Sequence, residues 1–286
     1  MYISIYDAYH APQGHCRTQT GRSFVRVFIG LLLAGSALFL SQKASAAVML
    51  VDLKTASSFA VLAGSGVTNA GVTTITGDVG SSPTGSTAGF GTVILNGTNH
   101  HSDAVSVDAK FDLGAAYDDA VGRTPGTIYG AIFDLGGLTL TSGVYNNPSS
   151  FGITGTLVLD ARGDINAVWI FQAGSTLSTS ANSAVVLVGG AQAANVFWQV
   201  GSSATIGANT EFVGSLLSFT SITTGAGSSV DGRLMALNGA VTLDNNSIIV
   251  PNPSVVVPEP STLLMLGAGL AVLSILRARL LSRKKG

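Results

Sequence analysis

The chain has 286 residues and a formal charge of -1, yet only 10% of its side chains are charged while 46% are hydrophobic and 36 residues are glycine. Between positions 47 and 257 thirteen acids stand against five bases (Lys54, Lys110, Arg123, Arg162, Arg233), a balance that excludes nucleic acid as a partner. A span of about 210 residues holds one sizeable core, and abundant glycine with few aromatics favours short strands and tight turns over a helical bundle.

Arg17, Arg22 and Arg26 precede an apolar run at residues 27–40, and Ala44-Ser45-Ala46 supplies the small residues of a cleavage site. Residues 1–46 therefore read as a secretory signal cut between Ala46 and Ala47. Cys16, the only cysteine, lies in that leader. The exported domain then has no disulfide, thiolate metal site or cysteine nucleophile.

From residue 53 to 95, apolar and hydroxyl residues alternate between Gly, Asn and Pro, as in Phe59-Ala60-Val61-Leu62, Val72-Thr73-Thr74-Ile75-Thr76 and Thr92-Val93-Ile94-Leu95. These are predicted strands. The period then changes: Val105, Ala109, Leu113, Ala116 and Ala120 mark one face of a helix over about 102–121, stopped by Gly122 and Pro125. Asp108 and Asp112 lie one turn apart on it, a spacing compatible with a shared cation, but an amphipathic helix needs a polar face in any case, and no metal site is assigned. His100 and His101 are placed in an exposed loop entering the helix.

Beyond residue 135 short strands return in echoing blocks. Phe171-Gln172-Ala173-Gly174-Ser175 is answered by Trp198-Gln199-Val200-Gly201-Ser202, and Gly214-Ser215-Leu216-Leu217 by Gly232-Arg233-Leu234-Met235 eighteen residues later. Such spacing suits one turn of a three-sided β-solenoid, in which equivalent side chains stack into ladders about 4.8 Å apart. A sandwich would need neither the echoes nor one helix midway. Only Glu211, Asp231, Arg233 and Asp244 carry charge between positions 165 and 250. A surface of hydroxyls, amides and methyls is poorly equipped for catalysis, and Asp160, Arg162 and Asp164, the densest charged group outside the helix, read as a solvated corner; no catalytic residue is assigned.

The ordered segments Ile75-Thr76-Gly77-Asp78-Val79-Gly80, Leu140-Thr141-Ser142-Gly143-Val144-Tyr145, Asn166-Ala167-Val168-Trp169-Ile170-Phe171-Gln172, Asn195-Val196-Phe197-Trp198-Gln199 and Asn238-Gly239-Ala240-Val241-Thr242-Leu243-Asp244 resemble the microbial ice-binding proteins. The resemblance covers nearly all of residues 53–250. It implies a right-handed, discontinuous β-solenoid of triangular section, with N-terminal strands folded back onto later ones, one long α-helix alongside, no cofactor, and one flat face that adsorbs to ice and its ordered water. Some relatives carry a Thr-(Ala/Gly)-x-(Thr/Asn) repeat. Thr179-Ser180-Ala181-Asn182 matches it partly and Thr224-Gly225-Ala226-Gly227 keeps its first half; Asn209-Thr210 and Thr68 fall at similar places. Thr68, Thr179, Asn182, Asn209, Thr210 and Thr224 are accordingly the candidate ice-contacting residues.

After a linker at residues 252–257 come Pro258-Glu259-Pro260-Ser261-Thr262, an apolar segment at 263–276, and Arg277, Arg279, Arg283, Lys284 and Lys285. This arrangement resembles the PEP-CTERM sorting signal of Gram-negative bacteria that make exopolysaccharide. It implies recognition of Pro258, Glu259 and Pro260 by an exosortase, transient anchoring in the inner membrane through a short transmembrane helix, and delivery to the cell surface or matrix. Two function classes remain beside the unsupported enzyme: an exported protein that binds ice and inhibits its growth or recrystallisation, and a structural or adhesive protein of the exopolysaccharide matrix.

Overall fold

The computed structural model describes residues 48–251. The expected signal peptide with its Ala46-Ala47 cleavage site, and the linker and sorting signal from 252 onward, lie outside these residues. Within them, parallel strands wind into a three-sided solenoid. One side is an 8-stranded sheet; the other two are counted as one 15-stranded sheet because two long strands, Glu211–Ser218 and Ser229–Ala236, turn a corner and belong to both.

That corner explains one of the sequence echoes. Gly214 and Gly232 are paired at the bend, Gly214 has φ 107°, and a Cβ on Gly232 would lie 1.9 Å from the Gly214 carbonyl oxygen. Only glycine permits the two backbones to pass so closely. The other echo is a stack. Phe171 pairs with Trp198 on the next coil, their rings 4.0 Å apart and 10° from parallel, while Tyr145 continues the column 5.3 Å from Phe171. Trp198 Nε1 donates to Val213 O at 2.9 Å, so burial leaves no indole N–H unpaired.

The side formed by Gly143–Asn147, Trp169–Ala173, Val196–Val200, the second half of Ser229–Ala236, and Phe59–Ala63 is covered on its outside by helix α1, Ala104–Gly122. Strand alternation sends Phe171 and Trp198 inward, while Ile170 and Phe197 face Ala109, Leu113, Ala116 and Ala120 of α1. Asp103 caps the helix by accepting from Ser106 N at 2.9 Å. Gln172 Nε2 donates to the Ala120 and Arg123 carbonyls at 2.8 Å, closing the C-terminal end. Gln199 donates to Tyr117 Oη at 2.8 Å. The glutamines of the two echoing blocks thus clamp the helix.

The coil order is discontinuous. Phe59–Ala63, Gly66–Ala70 and Thr73–Thr76 form one coil, and Asp78–Ser81, Thr87–Ala88 and Val93–Asn96 the next. After α1 the chain restarts at the far end with Thr127–Ile128 and winds back until its last coil meets the first one, Val61 pairing with Leu234 and Thr68 with Thr242.

Two local expectations are corrected. Val105 is exposed, and Ser106 takes the buried position, because the cap starts the helix at Ala104 and sets its rotation. His100 is not in an open loop: Asn99–His101 is a strand paired with Asp78–Ser81, with the His100 ring 5.4 Å from Phe59 and Nδ1 2.7 Å from Asp103 Oδ2. Asp112 is occupied by the Thr55 hydroxyl at 2.6 Å and lies 3.6 Å from Lys54 Nζ, which ties the helix to the 3-10 turn Lys54–Ser58. The Asp160 and Asp164 carboxylates each accept a backbone N–H two residues on, as a turn requires.

Lys110 is a half-buried residue of α1, with Nζ 2.7 Å from Ala236 O and 2.5 Å from Leu237 O. Burial pulls it down from 10.5 to about 8. The unfolded chain then binds more protons between those values, so stability is expected to rise as pH goes from about 8 to about 10.5. A neutral amine keeps two N–H donors for the same two carbonyls. Melting curves of the domain and of Lys110→Met across that range check this, since the variant should lose the rise.

Candidate functional site

The two sides not covered by α1 differ in chemistry. One presents Glu211 and Asp231 together with exposed Val186, Val188, Ile249 and Ile94. Desolvation by its neighbours raises the Asp231 carboxyl above its ordinary value, Arg233 acting in the opposite sense. The other side, the 8-stranded sheet, is a ladder of small neutral groups.

Pairing fixes that ladder residue by residue. Val67, Val241, Ile222, Ala204 and Leu177 stack inward, and the next residue on each strand points out: Thr68, Thr242, Thr223, Thr205 and Ser178, continued by Gly152. Thr68, Thr242, Thr223, Thr205 and Ser178 are all exposed. One rung separates each from the next, about 4.8 Å in a parallel sheet. On one flank Ser150, Thr176, Ser203 and Ser221 form a half-buried second row, linked by Thr176 Oγ1 to Ser150 Oγ at 2.8 Å and by Ser221 N to Ser203 Oγ at 3.3 Å. On the other flank stand Gly225, Gly207, Ser180 and Thr154, the last two 3.3 Å apart through their hydroxyls.

Charge appears only at the margins. Asp134 ends the central column beside Gly152. Burial works against its charge, but the N–H groups of Gly136 and Thr154 outweigh it and hold the carboxyl below its ordinary value. Asp244 lies beside Ala70 on the flank.

Of the six residues singled out by sequence, only Thr68 stands in the exposed column. Thr179, Thr210 and Thr224 are buried, at 7%, 1% and 2% exposure, so they cannot touch a surface ligand. They line the inside of the corner between the two uncovered sides. Thr179 Oγ1 accepts from Gly207 N at 2.8 Å, Thr210 Oγ1 donates to Ser180 O at 3.1 Å, and Thr224 Oγ1 lies 2.6 Å from Asn246 Oδ1. Thr179 and Thr224 stand one position beyond the exposed Ser178 and Thr223, which on a strand exchanges inside for outside, while Thr210 lies in the corner after Ala204–Ile206. Asn182 and Asn209 are exposed at that corner with φ of 59° and 53°, and Asn245 repeats the conformation at 51°. The left-handed turn accounts for asparagine there.

The missed residues Thr205, Thr223 and Thr242 had a signal of their own. Each follows a buried apolar residue in a short strand, as Ala204-Thr205, Ile222-Thr223 and Val241-Thr242.

A family described as ice-binding-like matches residues 61–249, nearly the whole solenoid. This chain belongs to the ice-binding-like family. An ice-binding protein from Nostoc sp. (strain HG1) is 46% identical over 210 residues, covering 73% of this chain and 77% of that protein. One from Flavobacterium frigoris (strain PS1) is 36% identical, covering 65% and 72%. Among solved structures, an ice-binding protein from an Antarctic biological consortium superposes with a TM-score of 0.71 at 43% identity, covering 73% of this chain and 94% of that one. The ice-binding protein of the ascomycete Antarctomyces psychrotrophicus gives 0.70 at 40%, covering 72% of this chain and 100% of the other. The family is one of ice-binding proteins and not of enzymes. Residues 256–279 match the PEP-CTERM protein-sorting motif.

Proposed function

We propose that this chain is an exported ice-binding protein whose contact surface is the exposed column Thr68, Thr242, Thr223, Thr205 and Ser178 with its flanking rows. The observation that carries the reading is the register that sets four threonines on consecutive rungs with no charge between them. Each threonine offers a hydroxyl that holds a first-shell water and a methyl that excludes irregularly oriented ones. On a strand its χ1 is restricted, so little side-chain freedom is lost on adsorption. A carboxylate or ammonium in the column would orient water around itself; the neighbouring side, with Glu211 and Asp231, has that defect. The names of the relatives support the reading.

Export is supported by the leader before Ala47 and by the sorting-motif match at 256–279. In this reading an exosortase recognises Pro258, Glu259 and Pro260, and the apolar segment 263–276 holds the chain transiently in the inner membrane before delivery to the cell surface or its exopolysaccharide matrix. No helix of the described residues is long and apolar enough to cross a membrane; the segment concerned lies outside them.

The test is the fragment 47–257, expressed alone. It is expected to shape growing ice crystals and slow recrystallisation at micromolar concentration. A folded fragment without effect on ice would transfer the assignment to an adhesive or structural role in the matrix.

A further inference from the structure

The last strand of the solenoid, Ser247–Ile249, closes a coil. Continued winding would carry the chain onto the helix-covered side, but the next lane there is filled by Phe59–Ala63, hydrogen-bonded both to Ser229–Ala236 and to Asp78–Ser81. The chain must leave at this corner. At the point of departure Pro251 forms one wall of a cleft of about 490 Å³, whose other walls include Leu50, Leu53, Ile165 and Phe197, with Arg233 inside it.

Arg233 is unusually placed. It is only 7% exposed, yet no carboxylate lies within salt-bridge distance. Nε donates to Ser57 O at 2.9 Å and Nη1 to Ser215 Oγ at 3.2 Å. A guanidinium has five N–H groups, and the remaining ones have no acceptor among the described residues. Asp231 acts on it only through space, and Asp52, the one acid of the cleft, accepts from Lys54 N at 3.0 Å instead. Burial lowers Arg233 to about 10. A buried cation without an anion is costly, and an apolar cleft beside it suits a ligand that is apolar along its length and carboxylated at one end.

The sequence that follows Pro251 has that form. Val255-Val256-Val257 leads to Pro258-Glu259, and Glu259 is the only acidic side chain after position 251. Eight residues of extended chain reach roughly 27 Å, ample for a return into an adjoining cleft. We propose that residues 255–259 dock in this cleft, the valines against Leu53, Ile165 and Phe197 and the Glu259 carboxylate on Arg233. The folded solenoid then holds the Pro-Glu-Pro motif until a sorting enzyme draws it away, which couples sorting to folding. This inference is independent of the ice-contact reading.

The experiment follows the Glu259 carboxyl by NMR titration in a fragment of residues 47–262, beside the free peptide 252–262. Pairing with an arginine is expected to lower its midpoint by about one pH unit or more. Arg233→Gln should return it to the peptide value, with a cooperative thermal melt as the control that the variant is folded. Equal midpoints in fragment and peptide would overturn the proposal whether or not the variant folds. So would saturable binding of sodium hexanoate to the 47–262 fragment with the Glu259 midpoint unshifted, since the cleft would then serve a free amphipathic carboxylate.

Discussion

Thr223→Tyr in the 47–257 fragment is expected to remove ice shaping and recrystallisation inhibition while leaving the melting temperature within a few degrees of the parent. Thr223 sits mid-column, with Thr205 on one side and Thr242 on the other. A phenol there stands above both neighbours and lifts the column off a flat lattice plane, and tyrosine is well tolerated on an exposed strand position. Thr224→Tyr, one residue on, should behave in the opposite way. That side chain is 2% exposed, with its hydroxyl 3.1 Å from Thr242 O and 2.6 Å from Asn246 Oδ1. Overfilling the corner costs about 1–3 kcal/mol or more, and the stranded polar partners add to it. Ice assays paired with melting curves separate the two variants. Full ice activity in a folded Thr223→Tyr protein would remove the threonine column from consideration.

Trp198→Ala is expected to cost about 3–5 kcal/mol, a fall in melting temperature on the order of 10 °C for a domain of this size. The indole stacks on Phe171 at 4.0 Å, leans on Phe212 at 5.4 Å and gives its N–H to Val213 O. Alanine removes all three and leaves a hole at the middle of the solenoid, where neighbours on adjacent rungs are held by the sheet and cannot collapse into it. Trp198→Phe retains most of the stack and should lose much less. Thermal unfolding of the two variants makes the comparison, and a loss for Trp198→Ala within about 1 kcal/mol of the parent would show that the aromatic column is not the spine of the domain.

Much of the architecture was legible in the sequence because a solenoid repeats its chemistry. Phe171 and Trp198 announced their pairing by standing in matching blocks, and Gly214 and Gly232 did so because the same corner recurs. The helix declared itself through Ala109, Leu113, Ala116 and Ala120. What the repeats do not carry is which side of a three-residue strand faces out. Thr179 and Thr224 end short strands and satisfy corner groups from within, whereas Ser178 and Thr223 precede them and face water. The Thr-x-x-Asn spacing belongs to the corner, where asparagine supplies the left-handed turn, so a search for surface threonines by that spacing lands one residue late. Nor could composition single out Arg233, whose setting depends on Ser57, Ser215 and the exit at Pro251, far apart in the chain.

The seam between first and last coils also sets the timing of assembly. Thr73 and Asn246, which hydrogen-bond across it, are 173 residues apart, and the threonine column crosses the same seam between Thr68 and Thr242. The coils from residue 127 onward can stack as they are made, each on its predecessor, but Phe59–Ala63, paired on one side with Asp78–Ser81, gains its second neighbour only once Ser229–Ala236 exists. Closing so long a loop is entropically slow. An N-terminal segment that is synthesised first is thus the last to complete its pairing, and the continuous four-threonine surface comes into being only with that final step.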